Sequence, residues 1–162
     1  MKKDIVFVTF VLAAMCFSSC GSQKTVVVPT APTDECAVLG FQYGTNVSAE
    51  EAKDIADIFR VNFRPSKYIV TEVERVDKVL ESRSYKNKKL TKHQLCELGL
   101  SLGVKYVVFG SINKLMDEYS IDVQVVDTQK ETTTAFEGDA FPKSDYINRI
   151  PSIARNLASK IK

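Results

Sequence analysis

The stretch from Lys105 to Asp127 constrains the fold of this chain more than any other. In "KYVVFGSI", Tyr106 to Phe109 are apolar at every position, the pattern of a strand covered on both faces. After a tight connection at Met116–Glu118 comes "EYSIDVQVVD", where Tyr119, Ile121, Val123 and Val125 alternate with Ser120, Asp122 and Gln124. Alternation with period two marks a half-buried antiparallel strand. The following "ETTTAFEG" is more polar and suits a sheet edge. A chain with these three segments in series must build a sheet whose centre is buried and whose far side is not.

Upstream, strands alternate with helices. "CAVLGFQ", Cys36 to Gln42, is a short apolar run that predicts a buried strand. Ser48 with Glu51 three residues on forms a capping box, and Ala52, Ile55, Ile58 and Phe59 recur at helical spacing. Pro65 lies beyond that helix. "KYIVTEV" predicts a second strand, and Val76, Val79 and Leu80 a second helix over about Glu74 to Ser84. Thr91 with Gln94 is another capping box; Leu95, Leu98 and Leu102 line a third helix that Gly103 ends. At the far end Ile147, Ile150, Ile153, Ala154, Leu157, Ala158 and Ile161 form one stripe, interrupted by Pro151, which should kink or restart the helix. The order is β-α-β-α-α-β-β-β-α. Helical crossovers make the first three strands parallel and right-handed, while tight turns make the last three antiparallel. The fold class is therefore α/β, a mixed sheet with helices on its faces.

The amino-terminal segment has a different logic. Lys2 and Lys3 precede an apolar run from Ile5 to Met15, too short for a transmembrane helix, which needs about 20 residues. A charged start, a short apolar core and small residues after it describe a secretory signal peptide. "FSSCGS" then resembles the lipobox of bacterial lipoproteins, cut just before a cysteine that is acylated. Ser18 and Ser19 fit that pattern; Phe17 stands where Leu is usual. Cys16 is a poor rival, because Met15 would precede the cut. The alternative is an ordinary secreted protein cleaved nearby, and neither reading keeps Cys16. The resemblance implies residues 1–19 as signal peptide, Cys20 as the lipidation site, and a stable membrane anchor through more than one acyl chain. Gly21 after the cysteine favours the outer membrane, with the domain facing the periplasm. "GSQKTVVVPTAPTD" reads as an extended linker, so 20–34 is the lipidated tether, reaching about 46 Å at full stretch. Glu35 to Lys162 is left as a single domain.

Loss of Lys2, Lys3 and Asp4 leaves 20 basic and 19 acidic residues of the 22 and 20 in the whole chain. A balanced charge outside the cytoplasm points to no nucleic acid. His93 is the one histidine, in the first turn of a helix, where the dipole disfavours its charged form. There is no His/Cys/Asp cluster at metal spacing, no phosphate-binding glycine loop and no nucleophile elbow. We therefore expect no catalytic residues, no metal and no cofactor.

"AVLGF", "VERVDKVLES", "ELGLSLGVKYVVFGSI" and "IDVQVVDTQKET" are similar, in order and spacing, to the CsgG-like group, over roughly Cys36 to Thr134. That group includes the curli-secretion lipoprotein CsgG and the penicillin-binding-protein activator LpoB; the TolB amino-terminal domain has a related fold. Val104, Lys105 and Lys130 depart from its usual Ala, Asp and Gly. The resemblance implies assembly and binding rather than catalysis: a non-enzymatic envelope assembly or accessory lipoprotein that binds envelope proteins. A ligand- or peptidoglycan-binding module, or an activator of a cell-wall synthase, is the alternative. A pore is not expected, since no inserted pair of long alternating strands is present, and the short tether makes a long reach through the cell wall harder.

Two surfaces are candidates for partner binding. Arg83, Lys86, Lys88, Lys89, Lys92 and His93 crowd the loop before the third helix; a basic loop is also the ordinary look of a solvated surface. The polar edge strand Glu131–Gly138 could accept a partner strand or a second copy of the chain, giving a homo-oligomer. Cys36 and Cys96 remain in the domain, either paired in an oxidising compartment or packed as small core residues. In cells fed a lipid analogue, the wild type and Cys16→Ser should be labelled and Cys20→Ser should not; label surviving the loss of Cys20 refutes the anchor.

Overall fold

The computed structural model describes residues 33–86 and 88–161. The segment expected to be a signal peptide, Cys16, Cys20 and the expected linker up to residue 32 lie outside the described residues. The chain runs β1 (Thr33–Val38), β2 (Gln42–Tyr43), α1 (Ala49–Asn62), β3 (Ile69–Val70), α2 (Val73–Ser82), α3 (Lys92–Leu102), β4 (Val104–Leu115), β5 (Glu118–Asp127), β6 (Thr132–Pro142), a 3-10 turn (Lys143–Asp145) and α4 (Tyr146–Lys160). One sheet has the order β3–β1–β4–β5–β6, with β2 also bonded to β4. β1 is parallel to β3 and β4, β2 is parallel to β4, and the long β4–β5 and β5–β6 pairings are antiparallel. This is the mixed α/β sheet the sequence predicts.

Two apolar layers hold it. On one face α1 and α4 bury Ile55, Phe59, Ile150 and Leu157 against Val38, Val108, Ile112, Ile121 and Val123. On the other, α2 and α3 bury Val76, Leu95, Leu98 and Leu102 against Ala37, Val107 and Val126. α3 comes so close to the sheet that a Cβ at Gly99 would overlap Thr128 and Val107. Both capping boxes form as the sequence predicts, and Gly103 closes α3 at φ 70°.

The structure corrects the sequence reading in two places and, at Pro151 and the two cysteines, decides between alternatives the sequence left open. The predicted strand Cys36–Gln42 is two strands separated by a bulge. Val38 pairs with Val108 and Gln42 with Ser111, so four steps along one strand match three along the other. One residue is extra, and the chain bends at that point. The predicted strand "KYIVTEV" shrinks to two residues, because β3 has a partner only in Glu35 and Cys36 before Glu72 caps α2. α4 runs unbroken through Pro151, whose missing N–H leaves the Ile147 carbonyl without its usual donor. Ile147 itself is 60% exposed, outside the stripe. Cys36 and Cys96 do not pair: each is a free, buried thiol, one in the α1/α4 layer and the other in the α2/α3 layer, with the sheet between them. Burial pushes the Cys36 thiol up to about 12 and raises that of Cys96.

Glu51 joins three elements. The Ser48 N–H donates to its Oε2 at 3.1 Å. Its Oε1 accepts from Lys143 Nζ at 2.7 Å and from the hydroxyl of buried Tyr119 at 2.8 Å. The Lys143 hydrogen bond is the main reason its pKa falls from 4.5 to about 2, with the Ser48 N–H and Tyr119 adding to it. The folded value lies below the unfolded one. Its stabilisation is therefore full above about pH 4.5 and is lost as pH falls through about 2. Glu51→Gln should lower stability at pH 7 by about 1–2 kcal/mol and flatten the acid limb of a thermal-melt series over that window. An acid limb as steep as that of the wild type would show that Glu51 is not the group responsible.

Candidate binding groove

The bulge between β1 and β2 forms one wall of a groove. It sends Leu39 into the α2/α3 layer and Phe41 into the α1/α4 layer. The chain leaves β1 for α1 on one face, while β3 leads into α2 on the other. The groove is a cavity of about 440 Å³ between the β1–β2 segment, β4, α2 and α3, within the usual ligand-pocket range of about 300–1,000 Å³. Leu39, Phe41, Leu80, Leu90, Leu95 and Phe109 give it an apolar floor; Gln42, Tyr43, Asp77, Tyr85, Lys86, Lys88 and Lys89 give it a polar rim.

The rim is held in place. Ser84, at φ 55°, turns the chain out of α2. The Tyr85 N–H donates to the Leu80 carbonyl at 2.8 Å, and its hydroxyl donates to Glu97 on α3 at 2.9 Å; that bond raises the Tyr85 pKa. The Lys88 N–H donates to Tyr85 O at 3.1 Å. Across the mouth the Gln42 side-chain amide donates to the Lys88 carbonyl at 3.5 Å, the long end of the range. Lys86 is neutralised by Glu81. Lys88 and Lys89 are exposed and make no ion pair among the described residues.

Of the basic residues singled out from sequence, the fold brings Lys86, Lys88 and Lys89 together on the groove. Arg83 is the C-cap of α2 and Lys92 opens α3; both are exposed and neither lines it. His93 is exposed, 3.7 Å from Glu97 and 3.9 Å from Glu131. The apolar floor was missed. Its one sequence signal is Gly40 inside an apolar run, since an isolated glycine in a strand marks a bulge.

The second candidate surface is less open than its sequence suggests. β6 is the outermost strand among the described residues. α4 nevertheless reaches it: Lys160 Nζ donates to the Phe136 carbonyl at 3.0 Å and pairs with Glu137, and Arg149 pairs with Asp139. A helix whose side chains reach over an edge strand disfavours its pairing with another strand.

Direction matters as much as lining. Thr33 pairs with Val104 at the start of β4, and the groove is reached at Phe109 and Gly110. At about 3.3 Å per residue the groove lies roughly 17 Å along the strand from the level of Thr33. The tip at Leu115 and Met116, 75% and 87% exposed, lies roughly 36 Å along it.

Solved structures share this architecture. The LpoB C-terminal domain from Salmonella enterica aligns over 69% of this chain and 85% of its own, with 12% identity and a TM-score of 0.51. The same domain from Escherichia coli aligns over 67% and 82%, with 14% identity and a TM-score of 0.51. Lipoprotein GNA1162 from Neisseria meningitidis aligns over 68% and 81%, with 11% identity and a TM-score of 0.51. At such identities the likeness is one of fold. No protein-family model matches the chain, and no curated protein matches it.

Proposed function

We propose that the chain is a lipid-anchored accessory protein of a bacterial envelope, and that it works by binding an envelope protein rather than by catalysis. In this reading Cys20 carries the acyl groups, residues 21–34 are the tether, and the folded domain faces the periplasm from the outer membrane. The observation that carries it is the groove: an apolar floor under two unpaired lysines, at the end of β1 opposite the one where the tether enters. A pocket that is mostly apolar with a few convergent polar groups is the usual form of a recognition site. The fold shared with LpoB and GNA1162 domains supports a lipoprotein setting. Charge-driven contacts at Lys88 and Lys89 should weaken with salt.

The second reading, contact with peptidoglycan, is favoured by the same lysines, because cell-wall carboxylates would complement them. One experiment separates the two. A photo-crosslinking residue is placed at Lys89 or, as a control on the outer side of α4, at Arg155. The Lys89 site should give a discrete crosslink to an envelope protein in cells, and the Arg155 site should not. With the crosslinker kept at position 89, Lys86→Glu and Lys88→Glu together should abolish that crosslink with an unchanged circular-dichroism melt. A protein pulled down by purified sacculi without any Lys89 crosslink would reverse the order of the two readings.

A further inference from the structure

The groove also states what kind of partner segment it takes. We infer that it binds a short acidic peptide segment carrying a large apolar anchor, with the anchor on the floor of Leu80, Leu90 and Phe109 and the carboxylates at Lys88 and Lys89. This rests on the reading of the groove as the partner-binding end, and it specifies the chemistry. Three observations favour it. First, Leu80, Leu90 and Phe109 are only partly buried, so the floor still offers apolar surface whose burial stabilises a complex by about 25 cal/mol per Å². Second, charge on the rim is one-sided. Glu81 neutralises Lys86 and Asp77 offsets one further cation, so the rim keeps one net positive charge, carried by Lys88 and Lys89, which make no ion pair among the described residues. An anionic ligand is complementary, and a cationic one is repelled. Third, the mouth carries groups able to pair with a peptide backbone: the Gln42 amide, held only by a 3.5 Å bond, and the Tyr43 hydroxyl at the rim. An alkyl chain would leave these groups without partners on binding, at a cost in free energy.

The loop is built for such a role. Tyr85 is tied to α2 and α3 and the Lys88 N–H donates to the Tyr85 carbonyl, which fixes the backbone at Lys88 and lowers the entropic cost of binding there.

The test uses the full chain in phosphatidylcholine nanodiscs. The probe is a fluorescein-labelled hexapeptide with a central Leu-Phe pair and two glutamates on each side. Anisotropy should rise to saturation. Replacing the central pair by Ala-Ala, or the glutamates by lysines, should each weaken binding by roughly tenfold or more. Lys88→Glu with Lys89→Glu should do the same, and both side chains are exposed, so the fold is not at risk. Raising NaCl from about 0.1 to about 0.5 M should weaken binding further. Equal binding of the acidic and basic peptides, or binding indifferent to the double variant, overturns the inference. So does dodecanoate occupying the groove where the peptide does not, which would make the ligand an amphiphile. If the acidic peptide fails while the Lys89 crosslink holds, the peptide chemistry is wrong and the partner-binding reading stands. If the peptide binds and the crosslink is absent, the groove chemistry stands and the envelope-partner reading falls.

Discussion

Everything in this domain depends on β4 being bonded along both edges and packed on both faces. Val104, Val107, Val108 and Ile112 are fully buried. Val108 and Ile112 face the α1/α4 layer, and Val104 and Val107 face the α2/α3 layer. One edge carries the parallel strands β1 and β2, and the other carries antiparallel β5. The strand is thus the seam between a crossover-built half and a hairpin-built half. Close packing at the seam leaves no room for side chains at two glycines. A Cβ at Gly110 would meet the Asp122 carbonyl at 2.8 Å and the Phe41 ring at 3.1 Å, and Gly99 brings α3 onto the same sheet. Cores at this density respond to single methyl groups.

The groove follows from a mismatch at that seam. β1 and β4 keep one register from Cys36 to Val38, and the extra residue beyond it then parts Leu39 from Phe41 across the sheet. The bulge therefore gives up some sheet continuity and leaves an opening at the carboxyl end of parallel strands, where the basic loop after α2 can overhang it. Site and scaffold share one cause, and no separate loop insertion is needed to make a pocket.

That origin explains what could be read in advance. The order of elements, the parallel and antiparallel halves, the two capping boxes and the Gly103 cap were legible, because each depends on local chemistry or on periodicity within a single segment. The lysines at 86, 88 and 89 were visible as a cluster. The floor beneath them was not: Leu39, Leu80, Leu90 and Phe109 come from four segments, and each passes in isolation for a core residue. The choice between paired and packed cysteines stayed open for the same reason, since Cys36 and Cys96 both look buried and only the sheet's topology places them on opposite faces. Edge strand β6 was identified from its polarity, but Lys160 and Arg149 guard it from a helix that periodicity alone could not dock.

β1 has one more property, a mechanical one. It is the first strand of the domain, yet it sits inside the sheet, flanked by β3 on one side and β4 on the other, parallel to both. A pull on Thr33 along the strand acts on its axis. The hydrogen bonds to both neighbours are then loaded together in shear, rather than peeled open one at a time as at a free edge. A load between Thr33 and the groove is carried along β1 and β4. Such tension runs parallel to both strands and is shared by the neighbours on either side of β1.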